Sequence, residues 1–204
     1  TLLYVRNQMK KIKEDRDKWI GGSDLPKIMN NSNLYKLALE KLNPSFDGNE
    51  YTYYGQFMEP IIREYVNYQF DYDFKPETIF RGIYRANCDG LDTNYGKLLE
   101  IKTCGGEFDL QYYMPQIQGY SNLFNIDSCL VVAYSRPSNF FTWGDITCRQ
   151  SYNLNFDEQR LEIYKIQKNK RIWRKIDTKA RRFAKVLHHF TSSTIEEYEF
   201  NKMF

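Results

Sequence analysis

Leu130, Val131, Val132 and Ala133 follow one another without interruption inside the segment Cys129–Ser135. Successive side chains of a strand point to opposite faces. This run therefore reads as a strand buried on both faces, which demands cover on each side. Other segments supply it. The spacing predicts a helix over Leu2–Trp19, short helices over Asp24–Met29 and Tyr35–Leu42, and an amphipathic helix over Tyr54–Phe70. That last helix is expected to begin near Gly55, with Pro60 in its first turns. A hairpin around Arg81-Gly82 is expected within Thr78–Asp89, a strand over Lys97–Thr103, a helix over Glu107–Phe124 and a strand over Phe140–Cys148. A long basic helix is expected over Asp157–Phe190. The order implies an α/β fold, a mixed central sheet flanked by helices.

The 204 residues suffice for one domain and are few for two. Net charge is +3, so no global polycation is present. Between Arg160 and Lys185, however, eleven bases face only Glu162 and Asp177. That segment reads equally well as a solvated helix face or as a surface for a polyanion. Tyrosine is abundant, at 17 residues, and suits both core packing and nucleic-acid contact. No two of Cys88, Cys104, Cys129 and Cys148 lie within four residues of each other, which excludes a local metal knuckle. Reduced thiols in a cytoplasmic protein are expected. No apolar run approaches the roughly 20 residues of a membrane span. The chain begins at Thr1 without an initiator methionine, so native residues are expected before it.

Chemistry concentrates in Asn87-Cys88-Asp89-Gly90-Leu91 and Leu98-Leu99-Glu100-Ile101-Lys102-Thr103. Strand alternation puts Glu100 and Lys102 on one face and Ile101 on the other. An acid and a base inside an otherwise apolar strand are costly unless something uses them. Mg²⁺ would, since it takes hard oxygen ligands, often one or two carboxylates. Asp89 can supply the second carboxylate, with Gly90 turning the chain away. Lys102 can orient or deprotonate a water. The competing reading is an ordinary ion pair on a half-exposed sheet. Three further pieces bear on the choice: Glu59 at a helix start, Gln116 and Tyr120 one turn apart on another helix, and a Gly21-Gly22-Ser23 turn suited to a phosphate.

In order and spacing, Ile20-Gly21-Gly22-Ser23-Asp24, Gly55-Gln56-Phe57-Met58-Glu59-Pro60, Cys88-Asp89-Gly90-Leu91-Asp92, Leu98 to Cys104 and Gln116-Ile117-Gln118-Gly119-Tyr120 resemble the phage-type alkaline exonucleases. These are the YqaJ-like viral recombinases, with lambda exonuclease among them, in the PD-(D/E)xK nuclease superfamily. The resemblance runs from about Trp19 to about Ser135. It implies a restriction-endonuclease-like core over about 19–150, a basic helix over about 155–190, and one nuclease domain spanning 1–204. It implies Mg²⁺, replaceable by Mn²⁺, held by Asp89, Glu100 and the Ile101 carbonyl. Lys102 becomes the catalytic lysine. Glu59 completes the site, as a ligand or through a second ion or water. Gln116 touches the nucleophile or Lys102. Ser23 falls where the family binds a 5′ phosphate, with Arg16, Lys27 and Arg63 as candidate cations. Tyr112 and Tyr120 are candidate DNA contacts. The implied activity is 5′→3′ digestion of linear duplex DNA in phage-type recombination or repair. A single-strand annealing protein as partner and a homotrimeric ring go with it; no membrane partner and no iron–sulfur cluster are expected. Cys88 stands where the family often has Pro or Ser, and the Lys102–Gln116 loop is short. A structure-specific endonuclease, a Cas4-like end-processing nuclease and an inactive DNA-binding or scaffold protein are the alternatives. His188 and His189 read as surface or packing residues, Trp143 and Trp173 as core, and Gln118 as non-catalytic.

Overall fold

Six strands form one sheet in the computed structural model, which describes residues 15–31, 33–45, 47–190 and 196–204. They are β1 (Ile20–Gly21), β2 (Lys75–Arg81), β3 (Tyr84–Asp92), β4 (Lys97–Cys104), β5 (Ser128–Ser135) and β6 (Leu161–Gln167). The order is β1-β3-β4-β5-β6, with β2 on the other edge of β3. The β4–β5 and β1–β3 pairs are parallel and the rest antiparallel, so the sheet is mixed as expected. The helices are α1 (Asp24–Met29), α2 (Leu34–Leu42), α3 (Glu50–Phe70), α4 (Leu110–Leu123), α5 (Lys170–His189) and α6 (Glu197–Asn201).

β5 is buried on both faces. Cys129, Val131 and Ala133 enter the core layer under α1, α2, α4 and α5, where Leu25, Ile28, Leu37, Ile117, Ile176 and Phe183 meet them. Leu130, Val132 and Tyr134 enter the opposite layer, against Tyr54, Met58, Ile62 and Val66 of α3. The same alternation sends Leu98 to the first layer and Leu99 and Ile101 to the second.

Several elements depart from the expected bounds. α3 begins at Glu50 rather than near Gly55, because the Asn49 side chain caps it by accepting the Thr52 N–H. Pro60 then lies mid-helix, tolerated while five neighbouring side chains anchor the helix in the core. Phe140–Cys148 is not a strand. It is a loop tied by a single bridge, Phe141 to Tyr152, whose aromatic residues pack on Tyr51, Tyr54 and Tyr152 instead of pairing in a sheet. The expected long helix over Asp157–Phe190 splits into β6 and α5. Asn169 makes the break, its side chain accepting the Arg171 and Ile172 N–H groups. Gly90 is no turn: it lies inside β3, where a Cβ would come within 2.7 Å of the Phe74 Cβ. Trp143 is 82% exposed rather than core. Trp173 is half-buried against Tyr84, and His188 and His189 are exposed. Most of the Leu2–Trp19 helix lies outside the described residues, and residues 15–18 form a turn. No helix among the described residues is long and apolar enough to cross a membrane.

Candidate active site

One edge of β3 pairs with β2 along its length. The other pairs with β4 only at Gly90–Asp92, against Lys97–Leu99, and with β1 at Tyr84 and Arg85. Among the described residues, 86–89 have no strand partner on that edge. β4 meanwhile stays paired with β5 through Cys104. β3 and β4 therefore part beyond Leu99, and a wedge opens between them. A backbone donor left facing such a gap needs a partner, and Asp89 provides one: its Oδ2 accepts the Ile101 N–H at 2.7 Å.

Glu100 and Lys102 face α4, as alternation required. Glu100 is 1% exposed. Its Oε1 accepts from Lys102 Nζ at 2.6 Å and from Gln116 Nε2 at 2.7 Å, while Oε2 is buried without a partner among the described residues. Gln116 also donates to the Tyr120 hydroxyl at 3.1 Å. On the opposite side, Arg63 Nη1 donates to Glu59 Oε1 at 2.7 Å and to the Asp89 carbonyl at 2.8 Å. A cleft of about 470 Å³ collects Glu59, Asp89, Ile101 and Lys102, with Tyr113 and Arg136 beside them. The Lys102 ammonium stands 5.1 Å from the Tyr113 ring centre. Arg136 lies over the Tyr51 and Phe140 rings. Sequence reasoning missed Arg136, because its approach depends on the fold of the 136–160 loop. Tyr112 is outside the cleft, edge-on to Tyr113.

These carboxylates crowd one another. Burial, then the charges of Glu100 and Glu59, push Asp89 well above the ordinary carboxylate range against the pull of Lys102 and the Ile101 N–H. Burial also raises Glu100, although Lys102 opposes it. Burial alone would lower Lys102, but the charges of Glu100 and Asp89 and the bond to Glu100 outweigh it and keep the ammonium protonated. Lys102 bonds Glu100 and Arg63 bonds Glu59, while among the described residues Asp89 has no salt bridge and one Glu100 oxygen, a hard donor, has no partner. Among the described residues, no three His, Cys, Asp or Glu side chains form a complete cage for an ion. The donor set instead fits a cation that uses one or two carboxylates and keeps its waters, as Mg²⁺ does.

A second cavity, about 170 Å³, lies where β1 docks on β3. Ser23, Arg16, Arg85, Asn87 and Tyr120 line it. Its wall is fixed by a buried ion pair, Lys41 to Asp24 at 2.7 Å. Lys41 also donates to the Arg16 and Trp19 carbonyls, and Asp24 accepts the Gly21 N–H. Ser23 occupies the N-cap position of α1, yet its hydroxyl makes no capping bond. Gly22 is required by contact: a Cβ there would sit 2.2 Å from the Tyr120 ring. Of the three candidate cations, only Arg16 reaches this cavity. Lys27 pairs with Glu40, and Arg63 belongs to the carboxylates. Arg85 was missed; its signal was its i,i+2 relation to Asn87 on a strand, which puts both on one face. Gln118 is structural, bonding the Gln167 carbonyl and the Asn169 N–H where β6 turns into α5.

No protein-family model matches the chain, and no curated protein matches it. Solved structures do. An alkaline exonuclease of Laribacter hongkongensis superposes with a TM-score of 0.68, covering 95% of this chain and 97% of that one. The fold is that of the phage-type alkaline exonucleases. The Laribacter enzyme in complex with dAMP gives 0.67, and a phage-related exonuclease of Haemophilus somnus 129PT gives 0.65 over 85% of this chain and 96% of that one. Identities are 16 to 17%. The alkaline-exonuclease fold agrees with the resemblance read from the five motifs and with the restriction-endonuclease-like core it implied.

Proposed function

We propose that this chain is a divalent-cation-dependent DNA exonuclease that removes nucleotides from 5′-phosphorylated ends of linear duplex, in the 5′→3′ direction. The supporting observation is the bonded chain Glu100–Gln116–Tyr120, which ends against Gly22. It links the carboxylate wedge to the Ser23 cavity through two side chains one helical turn apart on α4. A terminal phosphate in the cavity then presents the first internal phosphodiester to the wedge.

Asp89 and Glu100 would hold Mg²⁺ (or Mn²⁺), with Glu59 and the Ile101 carbonyl as further donors. The ion, when bound, supplies an activated water and offsets charge at phosphorus. Lys102, kept protonated, neutralises charge on the scissile phosphate and orients its oxygens. Gln116 fixes the Glu100 carboxylate, and Arg63 fixes Glu59 against β3. Ser23, Arg16 and Arg85 hold the terminal phosphate. Expulsion of the 3′ oxygen leaves a new 5′ phosphate suited to the same cavity. One nuclease domain over the whole chain, a cytoplasmic trimer, an annealing-protein partner and a role in phage-type recombination rest on the family resemblance alone. Glu100→Ala and Lys102→Ala are expected to abolish cleavage while sparing DNA binding, measured by gel assay and fluorescence anisotropy. A fully active Lys102→Ala variant would overturn the mechanism.

A further inference from the structure

Two cations line the carboxylate cleft, Lys102 and Arg136. Lys102 is engaged, bonding Glu100 at 2.6 Å. Arg136 is not. Among the described residues its guanidinium forms no salt bridge and donates no hydrogen bond, although Glu59 and Asp89 line the same cleft. It is half-buried and held in place by other means. The Arg136 N–H donates to the Cys104 carbonyl at 2.7 Å, which carries the β4–β5 pairing one residue further and fixes where the side chain starts. The guanidinium then lies over the Tyr51 ring at 4.6 Å and the Phe140 ring at 4.9 Å, two rings that stack on each other. Gly105 admits its edge: a Cβ there would stand 2.8 Å from Nη2. Stacking engages the faces of a guanidinium and leaves the N–H groups, which lie in its plane, free to donate.

Opposite charges that share a cleft ordinarily pair. Here the two rings keep Arg136 off the acids, so the acids stay free for a cation and the guanidinium stays free for an anion. A phosphodiester suits both, because the planar fork of an arginine matches two phosphate oxygens. Charge must also be offset on those oxygens during phosphoryl transfer. Lys102 shares its charge with Glu100, so it cannot supply the whole of that offset. We propose that Arg136 is a further catalytic residue, donating to the non-bridging oxygens of the scissile phosphate. The assignment rests on the proposed exonuclease reading. In that step a water oxygen bonds phosphorus and the bond to the 3′ oxygen breaks. The attacking water gives a proton to solvent, the departing 3′ oxygen takes one back, and Arg136 stays protonated throughout.

The test uses three variants of the full chain, steady-state cleavage of 5′-phosphorylated duplex in Mg²⁺, and thermal melts in EDTA. Arg136→Met keeps a long apolar side chain on the two rings and removes the charge. Its kcat is expected to fall about 100- to 1,000-fold, the usual effect of deleting one donor to developing charge. KM is expected to change far less, as for an interaction made in the transition state, and Tm to stay at the wild-type value. Arg136→Lys keeps the charge without the fork, and its kcat is expected to lie between those of Arg136→Met and wild type. Gly105→Ala keeps the arginine and displaces its guanidinium, so kcat is expected to fall with Tm unchanged. A wild-type kcat in Arg136→Met, a loss confined to KM, or losses that follow Tm across the three variants would overturn the assignment. Equal cutting by wild type and Arg136→Met overturns this assignment alone. A wild type that never cuts overturns the nuclease reading, and this assignment with it.

Discussion

Replacing Asp89 by asparagine should make the metal-free protein more stable while removing its activity. Asparagine keeps the shape and still offers an oxygen to the Ile101 N–H, now held at 2.7 Å. It removes one of three crowded negative charges. Two like charges about 5 Å apart repel by roughly 3 kcal/mol at an effective dielectric near 20. Attraction to Lys102 returns a similar amount, and the burial penalty remains to be relieved. A net gain of about 1–2 kcal/mol follows, the usual size for relief of a functional site. For a chain of this length that is about 2–8 °C in Tm. The pH dependence has a definite sign. Asp89 is raised in the folded state, so native protein binds a proton that the unfolded chain has already released. Stability therefore falls as pH rises through the raised value. The asparagine advantage is full above that value and fades as pH drops into the ordinary carboxylate range. Thermal melts in EDTA at pH 8 and pH 5 read this directly. Adding Mg²⁺ or Mn²⁺ should raise the wild-type Tm and leave the variant's unchanged. A variant that melts lower than wild type in EDTA at pH 8, or that keeps the metal-dependent rise, refutes the reasoning.

Gly22→Ala drives a methyl group into the Tyr120 ring. Overpacking of about 1–3 kcal/mol and roughly a 100-fold loss of kcat/KM on 5′-phosphorylated duplex are expected; wild-type kinetics would contradict any coupling between cavity and wedge. Lys41→Met strands the buried Asp24 carboxylate and should cost about 3–5 kcal/mol in denaturant unfolding. A cost below about 1 kcal/mol would mean the pair does not hold the Ser23 cavity. Burial pushes the Cys88 thiol up to about 12 and raises Cys129 as well. Alkylation at pH 8 followed by peptide mapping should mark Cys104 and Cys148 in native protein, and Cys88 and Cys129 only after unfolding.

What could be read from the sequence was what short-range rules determine. The unbroken apolar run of β5, the alternation of Leu98 to Lys102 and the Arg81-Gly82 hairpin each carry their own signal. β6 did not. Leu161, Tyr164 and Ile166 sit among bases spaced to suit a helix, and only the Asn169 cap separates strand from helix. β1, two residues long, is too short for any periodicity and exists because it docks on β3. The site divides in the same way. Glu100 and Lys102 follow from strand alternation; Arg63 was read as a cation for the phosphate, and its bond to Glu59 came only with the structure. The parting of β3 from β4, the reach of Arg63 to the Asp89 carbonyl and the placement of Arg85 beside Ser23 come from long-range pairing, which no local pattern encodes.

The central claim is metal-dependent cutting from a DNA end, and one assay addresses it most directly. A 5′-phosphorylated linear duplex and a covalently closed circle of the same sequence are incubated with the protein, each with Mg²⁺ or with EDTA. The expected result is progressive loss of the linear duplex in Mg²⁺ alone, with the circle intact throughout. Equal cutting of the circle would contradict exonuclease action, and no metal-dependent loss of the linear duplex would contradict the nuclease itself.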